Sequence, residues 1–234
     1  MPKKQSIKDT AKFYKNHKYV VIRNFISKEQ AAFIYNYGMI RAQRASTMIN
    51  SKWPDYREDV DGTYTDQQVP GTYSCYADPV METLLLQGLQ GMREITGLNL
   101  APTYSYWRLY KQGDVLKRHK DRPSCEISTT LCLGYDTSNM NDSEYDWPMW
   151  VKNDEGVEYK IHLTPGDMII YRGCEIEHWR EPYAGINHAQ VFMHYNDANG
   201  PYNIKYDGRP MLGLPGKYRN YKEDIDENYV KIIE

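Results

Sequence analysis

Apolar positions follow two regimes along the chain: helical spacing up to about residue 97, then strand-like alternation from about residue 103. Near the start, Tyr19-Val20-Val21-Ile22 reads as a short buried strand. Asn24-Phe25-Ile26-Ser27 leads from it into a helix carrying Ala31, Phe33, Ile34 and Tyr37, with Ser27 and Gln30 spaced as a capping box. From about Thr47 to Thr72 the pattern turns polar around Trp53-Pro54-Asp55 and Asp61-Gly62. This reads as a long loop, expected to contact substrate because long loops in compact domains are often functional. A second helix is expected from Asp78, with Pro79 in its first position, to about Gly97.

The second regime supplies strands. Tyr104 to Tyr110 alternates so that Tyr104, Tyr106, Arg108 and Tyr110 share a face, and a turn at Gln112-Gly113-Asp114 leads into the segment around Arg118-His119-Lys120-Asp121. Further strands are expected over Ile127 to Leu133, Tyr145 to Trp150 and Glu158 to Leu163. Met168 to Tyr171 follows between the turns Thr164-Pro165-Gly166-Asp167 and Arg172-Gly173, and another segment opens at His178. Later, His188, Gln190 and His194 share one strand face, opposite Ala189, Val191, Met193 and Tyr195. After Asn196 the chain becomes polar and rich in Gly and Pro. Helices preceding strands predict an α+β fold, and the strand order fits a jelly roll.

His119 and Asp121 stand at i and i+2, so one strand face can offer both to one ion, and His178 follows 57 residues after Asp121, room for several strands to return beside them. Two histidines and a carboxylate covering one side of an octahedron leave open positions for dioxygen or a chelating substrate, as in non-haem Fe(II) oxygenases. A solvated His-x-Asp pair is the plain alternative, and zinc accepts the same ligands, which would suit a hydrolase or isomerase.

Composition narrows the classes. At 234 residues and 41% hydrophobic, the chain can bury one substantial core. A net charge of −2 argues against a nonspecific nucleic-acid binder, whose affinity rests on neutralising phosphates, and leaves room only for a local basic groove. Met1-Pro2-Lys3-Lys4 opens no apolar leader and no run of about 18 apolar residues follows, so a cytoplasmic protein without a membrane span is expected. The four cysteines lack zinc-site spacing and are expected as free thiols. Tyrosine, at 22 residues against 4 phenylalanines, suits strands and polar pockets alike, and a non-catalytic jelly-roll binding protein remains a reading of that composition.

The strand and helix over Tyr19 to Tyr37, the second helix, Tyr110-x8-His119-x-Asp121, Gly166-Asp167-Met168-Ile169-Ile170-Tyr171 and His178-Trp179-Arg180-Glu181-Pro182 together resemble the 2-oxoglutarate- and Fe(II)-dependent dioxygenases. Their order and spacing are most similar to the prolyl 4-hydroxylase-like branch, over roughly residues 19 to 196. The resemblance implies a double-stranded β-helix core over about 103–196, supported by N-terminal helices; outside it, 1–18 and 197–234 are expected as extensions, the latter packed on the same domain. It implies Fe(II) on His119, Asp121 and His178, with 2-oxoglutarate and O2 as cosubstrates, ascorbate as a reductant, and Tyr110 against 2-oxoglutarate. Related halogenases lack the carboxylate ligand, so Asp121 favours hydroxylation. Where the branch carries Lys or Arg for the far carboxylate of 2-oxoglutarate, this chain has Asn187 and His188. Protonated His188 is the expected anchor, helped by Gln190, with Arg180 as its rival. Arg108, Tyr106 and Trp179 are the candidate substrate contacts, Arg108 either binding a substrate carboxylate or completing an ion pair, while Arg122 is expected at the rim. The expected substrate is a peptidyl proline or another amino-acid-like molecule, with a free amino acid or small metabolite as the alternative. The sequence carries no signal for oligomeric state.

Overall fold

The computed structural model describes residues 6–141 and 145–220. Four helices, α1 (Ile7–His17), α2 (Lys28–Asn50), α3 (Glu58–Asp61) and α4 (Pro79–Thr96), alternate early with strands β1 (Tyr19–Ile22) and β2 (Tyr73–Tyr76). Eight strands then follow: β3 (Leu100–Lys111), β4 (Leu116–His119), β5 (Ile127–Asp136), β6 (Met149–Lys152), β7 (Glu158–Ile161), β8 (Met168–Arg172), β9 (Glu177–Arg180) and β10 (Asn187–Asp197). They interleave into two antiparallel sheets, a larger one ordered β1-β8-β5-β10-β3-β2 and a smaller one ordered β4-β9-β6-β7. This is the expected jelly roll with supporting helices.

The helices stop and start where their end residues dictate. Ser27 Oγ accepts from the Gln30 N–H at 3.1 Å, while the Gln30 side chain reaches Gln87, so only half of the expected capping box forms. Asp78 caps α4 through the Val80 and Met81 amides, Pro79 needs no partner at N1, and Gly97 closes the helix in the left-handed region. Ala31, Ile34, Gly38, Ala42 and Ala45 form the buried stripe of α2. Gly38 is needed for approach: a Cβ there would sit 2.9 Å from the Trp107 ring.

β10 is buried on both faces. Ala189, Val191, Met193 and Tyr195 join Leu85 of α4 and Trp107 of β3 in the main core, under the helices, as the alternation predicts. Val191 and Met193 each contribute about 2 kcal/mol by leaving water. A second core of Cys132, Met149, Val151, Ile169 and Tyr171 fills the closed part of the space between the sheets.

Several expectations are corrected. The segment before Tyr19 contains α1, whose polar composition hides one buried face bearing Thr10 and Tyr14. α2 runs to Asn50, past the expected start of the loop at Thr47, and Phe33 is 73% exposed on its outer side. The strand expected over Tyr145 to Trp150 is confined to β6.

The segment after β10 is tied down by ions. Arg209 donates to Glu82 Oε1 at 2.7 Å and to the Thr103 carbonyl at 2.9 Å, joining this segment to α4 and β3. Both side chains are almost wholly buried, a pairing that holds only because each has further hydrogen-bond partners. Among the described residues, no helix is long and apolar enough to cross a membrane.

Candidate metal centre and cavity

β4 and β9 pair so that His119 lies opposite His178, and their rings are 4.2 Å apart. β4 ends at His119, and Asp121 is held just beyond it by its own N–H, which donates to the Gly173 carbonyl at 2.9 Å. Gly173 is required by space: a Cβ there would overlap the Cys125 carbonyl, the Asp121 carboxylate and the Ser128 hydroxyl.

Both histidines are oriented from behind. Nδ1 of His119 lies 2.8 Å from the Lys117 carbonyl and Nδ1 of His178 lies 3.0 Å from the Ile176 carbonyl. A carbonyl can only accept, so each Nδ1 carries the proton and each Nε2 turns a lone pair inward. Those two Nε2 atoms lie 3.6 and 3.5 Å from Asp121 Oδ1. That is long for direct hydrogen bonds and close to the spacing of donors around one ion, since ligands about 2.1 Å from a metal lie about 3.0–3.4 Å apart. Asp121 Oδ2 points away and accepts from Ser128 Oγ at 2.7 Å, and Ser128 in turn contacts His194 Nδ1 at 2.9 Å. The residues therefore fit a divalent metal through three inward ligand atoms and a hydrogen-bonded outer layer.

The electrostatics agree. Burial opposes charge on Asp121, but the neighbouring His178, His119 and His194 outweigh it and hold the carboxyl well below its usual range. Burial lowers the His119 pKa, and the contacts with Asp121 and Lys117 more than reverse this, for a net rise. Burial drives His194 down to about 4, so it is neutral at ordinary pH.

A cavity of about 400 Å³ opens on these ligands. At one end stands Arg180, two residues beyond His178 on the same face of β9, and 2% exposed. Its Nη1 donates to the Trp147 carbonyl at 2.8 Å and its guanidinium covers the Trp147 ring at 4.3 Å, but Nη2 has no hydrogen-bond partner. Thr130 Oγ1, lining the same cavity from β5 of the larger sheet, is likewise buried without a partner. Arg108 Nε, also lining the cavity, is a third, so unpartnered buried donors able to bind an acceptor line this space.

His188 departs from expectation. It is shut away from the cavity wall, stacked on Tyr135 at 5.3 Å and edge-on to Trp147 and Tyr183. Burial, aided by the charge of Arg180, pushes its pKa well below the usual histidine value, so the expected cation does not form. Gln190 lies beside it, 3.0 Å from its Nε2, and also off the wall. Tyr110 is wholly buried, its hydroxyl accepting from Arg108 Nη1 at 3.2 Å and its ring edge-on to Trp147. Trp179 is corrected by simple alternation: lying between His178 and Arg180, it faces the other way, stacked on Trp150 and beneath Arg118.

The opposite wall combines β3 with the polar loop. Arg108 and Tyr106 face the cavity as expected, and Arg108 does complete an ion pair, 2.8 Å from Asp66. Gln68 bridges Arg108 Nη2 and His119 Nε2, at 3.0 Å from each. The polar stretch was the signal for Asp66 and Gln68, while Thr130, Asp207 and Arg219 carried none. Arg122 sits at the rim, in contact with Asp207 at 2.8 and 2.9 Å.

No protein-family model matches the chain, and no curated protein matches its sequence. Solved structures do match its fold. A prolyl-4-hydroxylase from Pseudomonas putida superposes with a TM-score of 0.58 at 15% identity, covering 82% of this chain and 98% of that one. The non-haem alpha-ketoglutarate-dependent epimerase SnoN from nogalamycin biosynthesis gives 0.61 at 10% identity, over 89% of this chain and 94% of that one. HygX from Streptomyces hygroscopicus, with nickel and 2-oxoglutarate bound, gives 0.56 at 11% identity, over 83% and 89%. What is shared at such identities is the fold.

Proposed function

We propose that this chain, which has the fold of the 2-oxoglutarate/Fe(II) oxygenases, is itself a 2-oxoglutarate-dependent dioxygenase that hydroxylates an aliphatic C–H bond of a prolyl or other amino-acid-like substrate. The carrying observation is the buried, unpartnered Nη2 of Arg180, together with Thr130 Oγ1, in the same cavity as the His119, Asp121 and His178 ligand atoms. A metal site alone would suit many reactions; a metal site facing a buried cation suits a dicarboxylate that chelates at one end and is anchored at the other.

Fe(II) with 2-oxoglutarate, when bound, supplies the oxidation of the C–H bond by dioxygen, with succinate and carbon dioxide as coproducts. The chain's own residues do the positioning. His119, Asp121 and His178 hold the metal, and the backbone carbonyls behind the histidines fix their tautomers. Arg180 and Thr130 hold the far carboxylate, replacing the role expected of His188, while Tyr110 steadies Arg108. Asp121 keeps one oxygen for the metal because Ser128 occupies the other. Ser128, Cys125 and Tyr104, linked by short contacts, close the space beside Asp121.

A free amino acid or small metabolite is the second reading of the substrate, and the cavity volume of about 400 Å³ favours it, since 2-oxoglutarate and a small molecule fill such a space. Anaerobic reconstitution with Fe(II) and 2-oxoglutarate tests the reading: a visible metal-to-ligand charge-transfer band and slow succinate release on admitting air are expected. Absence of both in a folded, metal-loaded sample overturns it.

A further inference from the structure

The cavity wall carries five cationic side chains, Arg108, Lys120, Arg122, Arg180 and Arg219, against two carboxylates, Asp66 and Asp121. On the dioxygenase reading, from which this inference proceeds, Asp121 is taken by the metal and Arg180 by 2-oxoglutarate. Arg108 is neutralised by Asp66 at 2.8 Å. Three cations remain at the mouth: Lys120, Arg122 and Arg219.

One carboxylate answers them. Asp207, 2% exposed, accepts from Arg122 at 2.8 and 2.9 Å, from Arg219 at 2.8 Å and from the Tyr76 hydroxyl at 2.7 Å. It organises both guanidiniums but balances only one charge. Lys120 is exposed and has no hydrogen-bond or ion-pair partner among the described residues. The two arginines are further fixed by stacking, Arg122 at 4.7 Å from the Tyr104 ring and Arg219 at 4.7 Å from the Tyr76 ring, and those rings lie 4.9 Å apart. A held pair of guanidiniums, each with N–H groups left over and 46% and 42% exposed, presents preorganised donors to an incoming anion.

We propose that the substrate carries an oxyanion, a carboxylate or a phosphate, which docks at the cavity mouth on Arg122 and Arg219 with Lys120 beside them. A neutral segment from the middle of a peptide would leave this charge unanswered.

The test uses N-acetylated amino acids, each as the free acid and as the neutral methylamide, together with O-phosphorylated members of the same set whose carboxyl is amidated. Binding to the full chain is followed by ligand-observed NMR, with and without Fe(II) and 2-oxoglutarate under nitrogen, and succinate release is measured in air. Acids or phosphates are expected to bind about tenfold or more tightly than their neutral counterparts, the loss of one charge-assisted contact being of that order. Which anion wins identifies the group. Arg219→Gln and Lys120→Gln should each weaken that preference. Lys120→Gln disturbs no described contact and so remains readable if the arginine variant fails to fold. Equal binding of acids, phosphates and amides, or a preference unchanged in both variants, overturns the proposal. A charge preference without succinate would instead count against the dioxygenase reading and leave the anion site standing.

Discussion

Gln68 and His119 meet at 3.0 Å through the one nitrogen of His119 that faces the other ligand atoms. Because the other nitrogen is committed to the Lys117 carbonyl, the Gln68 amide donates to the lone pair that a metal needs. Metal and amide therefore compete for one atom. Gln68→Ala should tighten Co(II) binding by about fivefold, the value of one neutral hydrogen bond, measured by visible titration. Weaker binding would show that Gln68 supports the loaded site instead.

His178→Ala and Asp121→Ala should each abolish stoichiometric metal binding and succinate release while leaving the fold intact by circular dichroism. Asp121→Ala removes the oxygen that both Nε2 atoms face, and His178→Ala removes one of the two inward-facing nitrogens. A variant that keeps full metal affinity would displace that residue from the ligand set.

Arg180→Gln should raise the KM for 2-oxoglutarate by about thirtyfold or more, since a charge-assisted contact to a carboxylate contributes roughly 1.5–3 kcal/mol. Thr130→Val should do the same to a smaller degree. His188→Gln should leave that KM within about threefold, because its ring is enclosed by aromatics and uncharged. The reverse order would restore His188 as the anchor.

Asp207 makes an acid-sensitive clamp. Burial resists its charge, but Arg122, Ser124 and Tyr76 outweigh this and hold its carboxyl far below the usual range. A depressed carboxyl contributes stability that is complete above its unfolded pKa, about 3.9, and is lost as pH falls toward the folded value. Asp207→Asn should cost about 2 kcal/mol at pH 7, less than a fully enclosed pair because both arginines can reach water. The gap in Tm between wild type and variant should hold above pH 5 and narrow below about pH 4. A gap that widens on acidification would contradict the assignment.

The grouping at the centre of the site was legible from spacing, although β4 stops at His119 and Asp121 is placed by its amide's hydrogen bond to the Gly173 carbonyl, not by strand alternation. His119 and Asp121 at i and i+2, and His178 after a Gly-Asp turn and a buried strand, are patterns a sequence displays directly. Strand alternation, applied two residues beyond His178, points to Arg180 and turns Trp179 outward. The expected offset to His188 was misleading because the enclosure of that ring by Tyr135, Trp147 and Tyr183 is a tertiary fact. Distance in sequence hid the rest: Asp66 reaches Arg108 across 42 positions and Asp207 reaches Arg122 across 85. The first helix was missed because only two of its side chains are buried.

Gly173 adopts a backbone conformation open to any residue, so its lack of a side chain answers to its surroundings alone. The volume it leaves is where the Asp121 carboxylate, the Ser128 hydroxyl and the Cys125 carbonyl converge. The chemistry at Asp121 is thus guarded by an atom that is missing. A single added methyl, far along the chain and bearing no charge, would press directly on the Asp121 carboxylate and the Cys125 carbonyl, so position 173 controls the placement of Asp121 from outside the ligand set.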